Sequence, residues 1–537
     1  MRDEAADPGV DVAIIGGGIT GLAAAHRLRE IAPDLTVAVL EAGDRPGGVL
    51  GTIRRDGYLI EQSADSFITN VPWAIDLCRR LGLEDRLIQT DERHRRSFVV
   101  RKGKLEPIPD GLIIMAPSKI GPMARTRILS IPGKLRLAME RVLPKGDGAD
   151  ESLASFARRR FGREAYDRLI QPLVGGMYTG DPERLSVKAT MPRFLEMEQN
   201  HGSLIKAMSA AGKKEGPKAG GSGARYGLFV GLEGGMSELV AALVASLPEG
   251  AVRTGAKVER MEREGNGWRL RMRTSDVFPP RGGRQTAQRS DEGDDQRRIA
   301  EYASDPQASG PPPLIRPFGP PSPARGEGRD DPNDGVRARA VLLATPPRAA
   351  GGLLRDVDAD VAAMLDGIVS TSSAIVSLGY RREQIAHPLD GFGFVVPFVE
   401  NRAILSGSFS SVKFAGRAPE GSVLIRVFMG GAKRSDLVDA PDVELVRIAS
   451  AELASLLGIR GEPELGNVSR WKSAMPQYEV GHLERVAEIE RRIEGIDGLE
   501  LAGNWLAGVG VPMCVRAGEQ AAERIASRIS AAAGRAG

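Results

Sequence analysis

Residues 11–48 read DVAIIGGGITGLAAAHRLREIAPDLTVAVLEAGDRPGG, and the fold is decided there. Val12–Ile15 is a short apolar run of the kind that forms a buried parallel strand. Gly16-Gly17-Gly18-Ile19-Thr20-Gly21 follows at once, then a helical pattern over Leu22–Ile31 and a second strand pattern over Leu35–Leu40. G-x-G-x-x-G after a strand and opening a helix, with another strand to follow, is the dinucleotide-binding arrangement. In it Gly16 allows a tight turn, Gly18 lets the backbone approach a pyrophosphate, and Gly21 lets helix and strand pack closely. The helix start offers unpaired N–H groups and the positive end of the helix dipole to the phosphates. Glu41 ends the second strand, about twenty residues after the last glycine, where a carboxylate accepts hydrogen bonds from ribose hydroxyls. Its charge repels a 2′-phosphate, which argues against NADP.

Length and composition narrow the classes. A chain of 537 residues is expected to form two or three subdomains. It is 42% hydrophobic and 27% charged, a globular composition, and a net charge of +3 gives no support for a nucleic-acid partner. Cys78 and Cys514 are the only cysteines, with no C-x-x-C, which fits a reducing compartment. The histidines (His26, His94, His201, His387, His482) show no ligand spacing, so no metal is expected. The N-terminus is acidic and polar, unlike a signal peptide, and no run of about 18 apolar residues occurs. The expectation is a cytoplasmic protein, with peripheral contact to a membrane allowed.

Beyond Gly48, Val49–Ile60 reads as a hairpin turning at Asp56-Gly57, followed by the polar stretch Glu61–Phe67. Pro72–Leu81 is an amphipathic helix, and Ser97–Val100 with Lys104–Pro107 form a second hairpin. From Leu112 to Met208 the pattern is helical and rich in prolines, with segments such as Lys134–Val142, Leu153–Phe161 and Glu164–Leu173. Its apolar patches Leu112–Met115 and Ile128–Ile131, beside Lys119 and Lys134, read either as core with solvated flanks or as a lid or membrane-surface face. Gly212–Ala224 is a Gly/Lys-rich loop. Residues 274–334 are rich in Pro, Gly and Arg and poor in branched and aromatic residues, the composition of a disordered insertion. It interrupts two strands, Trp268–Met272 and Ala340–Ala344, that a short hairpin should join. Ile375–Tyr380, Gly393–Pro397, Ala403–Phe409, Ser422–Met429 and Val468–Trp471 are further strands. The chain ends in a strand Leu499–Ala502, a turn Gly503–Gly510 and a helix Val511–Ile529.

Arg45-Pro46-Gly47-Gly48 resembles the FAD-binding signature of the glutathione-reductase-like flavoproteins, in the branch that holds amine oxidases and phytoene desaturases. Six stretches carry a narrower resemblance: GGGITGLAAA (16–25), EAGDRPGG (41–48), DGYLIEQSADSF (56–67), PLVGGMYTGDPERLS (172–186), SRWKSAMPQYEVGH (469–482) and AGNWLAGVGVPMCVRAG (502–518). Together they resemble the oxygen-dependent protoporphyrinogen and coproporphyrinogen III oxidases of haem biosynthesis. Met475–Tyr478 and Pro512–Arg516 look closest to the Gram-positive-type branch, which is associated with coproporphyrinogen III.

That resemblance implies an α/β fold: a Rossmann-like FAD-binding domain of the glutathione-reductase and amine-oxidase type, a mixed-sheet substrate domain and a helical subdomain. The FAD domain is expected at 10–90 with 228–273, 335–350 and 495–530, and the substrate domain at 91–111 with 351–494. The helical lid or membrane-facing part is expected at 112–210, and the insertion at 274–334. FAD contacts are implied at Gly16, Gly17, Gly18, Ile19, Thr20 and Gly21, and at Glu41, Ala42, Arg45 and Gly48. Further contacts fall on Ser63, Ala64, Asp65 and Ser66, on Val258 and Trp471, and on Val509, Gly510 and Val511, where the last helix points its dipole at the flavin.

The implied reaction removes six electrons from a porphyrinogen in three rounds. In each, hydride leaves a meso carbon for flavin N5, an N–H proton is lost, and oxygen reoxidises the flavin. No second G-x-G-x-x-G follows a strand, so electrons enter from the substrate and not from NAD(P)H. No protein base is named. Tyr178, Phe394 and Phe398 are candidate pocket aromatics, each equally readable as core. The porphyrinogen, O2, a membrane surface and a ferrochelatase-type enzyme are the implied partners. The alternatives are a flavin amine oxidase, a carotenoid desaturase-like enzyme, or a non-catalytic FAD-binding porphyrin carrier. Two departures stand out: Ser63-Ala64 where the family has Gly-Pro, and Ile68–Val71 where a propionate-binding Lys or Arg is usual.

Overall fold

The strand Val10–Ile15 buries both of its faces. The computed structural model, which describes residues 9–214, 229–272, 335–506 and 508–536, puts it in the middle of a seven-stranded sheet. Val12 and Ile14 belong to one core, Ala13 and Ile15 to another, as the two-residue period of a strand covered on both sides requires. Val37–Leu40 and Gly335–Leu343 flank it in parallel, and Val252–Arg253 lies outside the former. Leu499–Leu501 pairs in parallel with the end of Gly335–Leu343. Gly267–Met272 and Val258–Glu264 continue the sheet antiparallel, with Trp268 opposite Ala338 and Arg271 opposite Gly335. The two strands thus adjoin as read from the sequence, while the expected insertion at 274–334 lies outside the described residues. Of the expected loop Gly212–Ala224, residues 212–214 instead end the helix Leu204–Lys214, and the rest lies outside the described residues.

Helices Ile19–Ile31, Ser237–Ala245 and Val511–Ala536 cover one face. The other face is covered by Pro347–Leu354, Ala359–Asp366 and His482–Glu494. Helices within the span 351–494 that was expected to form a separate domain therefore pack on this first sheet. Leu353, Leu354, Val361, Leu365, Val486, Ile489 and Ile493 share one core with Ala13, Ile15 and Val341, because each of these helices has an apolar stripe that only this sheet covers.

A second seven-stranded sheet runs in the order Leu465–Pro476, Ser370–Arg381, Ser422–Gly430, Ile404–Phe409, Gly393–Val395, Phe98–Arg101, Lys104–Pro107. Val423, Ile425, Val427 and Met429 pack on the helix Asp442–Leu457. The intervening Arg426 and Phe428 occupy the opposite face. The hairpin Thr52–Arg55 to Tyr58–Glu61 turns at Asp56 and Gly57, both left-handed (φ 52° and 78°), the backbone a two-residue hairpin loop demands.

The third part, within 112–210, differs locally from the helical reading. Leu112–Ile113 and Ala116–Pro117 pair as short antiparallel strands. The helix read as ending at Leu173 continues to Tyr178 through a π-helical turn, Tyr166–Ile170. Pro172 has no N–H to donate and would crowd a regular turn, and the wider turn before it absorbs that defect. Arg160, wholly buried, is paired with Glu140 and lies 3.2 Å from Glu198. Glu140 in turn accepts from Ser203 Oγ (2.6 Å) and the Leu204 N–H (2.8 Å), so this buried charge is fully partnered. Among the described residues no helix is long and apolar enough to cross a membrane.

Candidate cofactor and substrate site

The parallel strands of the first sheet end together at Ile15, Leu40, Leu343 and Leu501, so the turns after them gather at one edge. The three motif glycines there meet different surroundings. Gly16 has φ +109°, and a Cβ on it would come 2.5 Å from the Ala344 carbonyl oxygen. A Cβ on Gly21 would overlap the Gly16 carbonyl oxygen. A Cβ on Gly18 would meet nothing within 4 Å. Gly18 is also the N-cap of the helix that Ile19 and Thr20 begin, with no side-chain cap and no acid in its first turn. An open space over uncapped N–H groups is a cradle that a pyrophosphate fills, so the residues present fit FAD.

Glu41 is half-buried. Its Oε2 accepts from the Gly17 N–H and its Oε1 from the Gly43 N–H, both at 2.7 Å. The carboxylate therefore fastens the glycine turn to the next loop, and each oxygen keeps a lone pair for a ribose hydroxyl. Ala42 beside it is exposed. Arg45 donates to the carbonyls of Leu50 (2.8 Å) and Gly48 (3.0 Å), which shapes its own loop. That loop docks on the glycine turn, the Gly47 N–H donating to the Gly17 carbonyl at 2.8 Å. Val258 begins its strand at a β-bulge, and the Ala256 N–H donates to the Glu41 carbonyl at 2.8 Å, bringing that strand start to the same edge.

The last helix arrives there too. The N–H groups of Met513 and Cys514 both donate to the Gly510 carbonyl at 3.0 Å, so Gly510 caps the helix that begins at Val511, and Val509 precedes it half-buried. Val511 shares a core with Ile19. The two helix starts lie side by side.

The stretch 61–67 runs between the sheets. Asp65 Oδ1 accepts from Lys413 Nζ (2.8 Å) and from Ser66 Oγ (2.7 Å), and Trp471 Nε1 donates to the Gln62 carbonyl (2.7 Å). Burial alone would raise the Asp65 pKa, but the charges of Lys413 and Arg426 outweigh it and hold the carboxyl well below its usual range. Ser63 bonds through its carbonyl to Arg426, and Ala64 packs on the core under the first sheet. Neighbouring Glu61 is buried and its pKa is raised by that burial, although Thr52 Oγ1 (2.8 Å) and the Met236 N–H (2.9 Å) both donate to it. Lys413, Arg417 and Arg426 were not singled out by the sequence reading. Arg426 had a signal, a lone charge inside the apolar run Val423–Met429. Lys413 had none.

The candidate aromatics take three different places. Tyr178 donates its hydroxyl to the Thr190 carbonyl (3.0 Å), and burial pushes the phenol up to about 12. Phe398 is half-buried, its N–H bonded to Gln171 Oε1 at 2.8 Å. Phe394 is a core residue: it is 2% exposed and packs on Phe409 with ring centroids 6.0 Å apart. Strand alternation turns its neighbour Val395, not Phe394, toward Tyr178. Phe428 is the half-exposed aromatic on the face that carries Arg426.

Comparison with known proteins gives concordant findings. The family model described as flavin containing amine oxidoreductase matches residues 19–287 and 326–526. The chain is 32% identical to the coproporphyrinogen III oxidase of Bacillus subtilis, over 95% of this chain and 96% of that protein. It is 29% identical to the chloroplastic protoporphyrinogen oxidase of Nicotiana tabacum, over 97% and 86% respectively. A crystal structure from Exiguobacterium sp. 255-15 aligns with a TM-score of 0.76 at 26% identity, covering 97% of this chain and 99% of that one.

Proposed function

The chain belongs to the flavin containing amine oxidoreductase family, and from that premise we propose that it binds FAD and oxidises a porphyrinogen to the porphyrin in haem biosynthesis. The observation that carries the reading is the open cradle over Gly18, at the uncapped start of a helix against whose first turn the last helix packs. Gly16 to Gly21 and the helix start at Ile19 hold the pyrophosphate. Glu41 holds the ribose, with Ala42, Arg45, Gly48 and Val258 shaping the adenosine end. Ser63–Ser66 and Trp471 border the flavin, and Val509–Val511 bring the second helix start to it, whose positive end favours negative charge there. Bound FAD supplies the redox chemistry, taking electrons from the substrate two at a time and passing them to oxygen. The protein's part is to hold the macrocycle against the second sheet, with Phe428 and Phe398 as its aromatic contacts. Coproporphyrinogen III, the substrate in the bacterial relative's name, is the first to test.

The test is anaerobic mixing of the FAD-loaded protein with each porphyrinogen, watching the flavin band, followed by air. Bleaching by one substrate, with porphyrin fluorescence on oxygenation, is the expected result. Bound flavin that neither porphyrinogen bleaches would reject it.

The proposal extends to where the protein works. Ile131, Leu135, Met139 and Val142 lie along one helical face and are 74%, 64%, 51% and 79% exposed. Lys119, Arg125, Arg127, Arg141 and Lys145 surround them, all exposed. Between Asp110 and Asp147 the only acid is the buried Glu140. An apolar ridge on a segment whose exposed charges are basic suits peripheral contact with an anionic membrane surface. A ferrochelatase-type enzyme is the transient partner that a porphyrin product calls for.

A further inference from the structure

The stretch Gln62–Ser66 is fastened from outside its own domain. Trp471 reaches the Gln62 carbonyl (2.7 Å) from the strand Leu465–Pro476. Arg426, from Ser422–Gly430, donates to the Ser63 carbonyl and stands 3.4 Å from Asp65 Oδ2. Lys413, ending the short helix Ser410–Lys413, reaches both Asp65 Oδ1 (2.8 Å) and Ser66 Oγ (3.0 Å). Its ammonium group also lies 5.1 Å from the Phe414 ring centroid and 5.7 Å from that of Phe229. Arg417 extends the pattern, donating to the carbonyls of Leu232 (2.7 Å) and Glu233 (2.9 Å). The strand it grips, Phe229–Leu232, pairs with Phe67–Ile68, the continuation of the same stretch.

Arg426 is 1% exposed in a strand whose alternate residues fill an apolar core, and Lys413 is 13% exposed. A buried ion pair is a poor source of stability, because desolvation offsets most of the attraction; what it does supply is register, since any slip leaves a charge unpaired. Here the register is that of two sheets from different domains.

We propose that Lys413, acting with Arg426 through Asp65 and Ser66, is a positioning residue that latches the flavin-side stretch 62–66 to the substrate sheet. The proposal rests on the reading that this stretch borders the FAD. The latch sets the distance between the flavin edge and the sheet on which the porphyrinogen lies, so the bound cofactor and the substrate share one rigid wall. Ala64, between these anchors, packs on the core of the first sheet.

The experiment compares the FAD-loaded wild type with Lys413→Met, Lys413→Arg, Asp65→Asn and the Lys413→Met/Asp65→Asn pair. Three quantities are read: amide hydrogen exchange over 61–67, the release rate of bound FAD, and the split between KM and kcat. For Lys413→Met, exchange over 62–66 should rise at least tenfold and FAD release at least fivefold. Bleaching of the flavin by porphyrinogen should slow with KM changed less than twofold. Lys413→Arg should restore most of each, and the double variant should be no worse than the worse single one. Unchanged exchange in both Lys413→Met and Asp65→Asn would overturn the latch. Raised exchange with unchanged FAD release and flavin spectrum would instead overturn the flavin-side placement of the stretch, and with it the positioning role. If Lys413→Met fails to fold, Asp65→Asn, which keeps the shape and removes the charge, decides between the same outcomes.

Discussion

Gly518 of the last helix lies against Thr20 of the first, so close that a Cβ on Gly518 would overlap the Thr20 carbonyl oxygen and come 3.3 Å from the Ala24 nitrogen. Both obstacles are backbone, so neither can swing aside. The crossing holds the two helix starts side by side at the cofactor edge. Gly518→Ala should force the helices apart at a cost of about 1–3 kcal/mol, and Gly518→Val should cost more. Thermal melting with and without FAD checks this. A melting temperature that falls while FAD affinity stays the same would separate the packing role from the cofactor role.

Gly18 and Gly21 should fail in opposite ways. Gly18→Ala adds a methyl group to empty space, so the apo protein should stay within about 0.5 kcal/mol of wild type while FAD affinity falls tenfold or more. Gly21→Ala drives its methyl group into the Gly16 carbonyl and should destabilise the apo protein itself. Denaturant titration of the apo forms, followed by FAD titration of whichever variant folds, distinguishes the two. Equal loss of fold in both variants would refute the open cradle.

His482 predicts acid sensitivity. It is 2% exposed and stacks on Tyr478 at 4.3 Å between centroids, and burial holds its pKa below the ordinary histidine value. The unfolded chain takes up a proton near pH 6.5 where the folded one resists. Stability is therefore full at neutral pH and declines as pH falls below about 6.5, by at most about 1.4 kcal/mol per pH unit from this group. His482→Phe keeps the stack and removes the titration. Urea unfolding at about pH 7.5 and about pH 5.5 should show a smaller difference for the variant than for wild type.

The exposed ridge can be tested without touching the fold. Leu135→Glu or Val142→Asp should leave thermal stability unchanged, because both side chains already face solvent. Each should weaken binding to vesicles containing anionic lipid by about 1.5–3 kcal/mol, the worth of one buried aliphatic side chain. Arg141→Glu should weaken binding further and make what remains less sensitive to salt. Variants that sediment with vesicles as wild type does would remove the membrane face.

Much of the first sheet was legible because local rules carry it. Alternating burial at Val12–Ile15, the glycine spacing to Gly21, and the Asp56-Gly57 turn each require only neighbours in sequence. The helix boundaries were less so. The helical pattern reads from Glu164 to Leu173, yet after a π-helical turn the helix runs on past Pro172 to Tyr178.

What the sequence determined by itself is a dinucleotide-binding edge with an acid at Glu41, because turn geometry, helix dipoles and strand period all act over a few residues. Only the tertiary structure decided what surrounds the stretch 62–66, since Lys413 and Arg426 lie more than 300 positions along the chain from Asp65 and nothing in Ser411–Arg417 marks a partner for it. The same holds for Phe394 and Phe428. Both are aromatic strand residues, and which one is buried in the core depends on which side of its sheet the helix Asp442–Leu457 covers, a choice that belongs to packing and not to either residue.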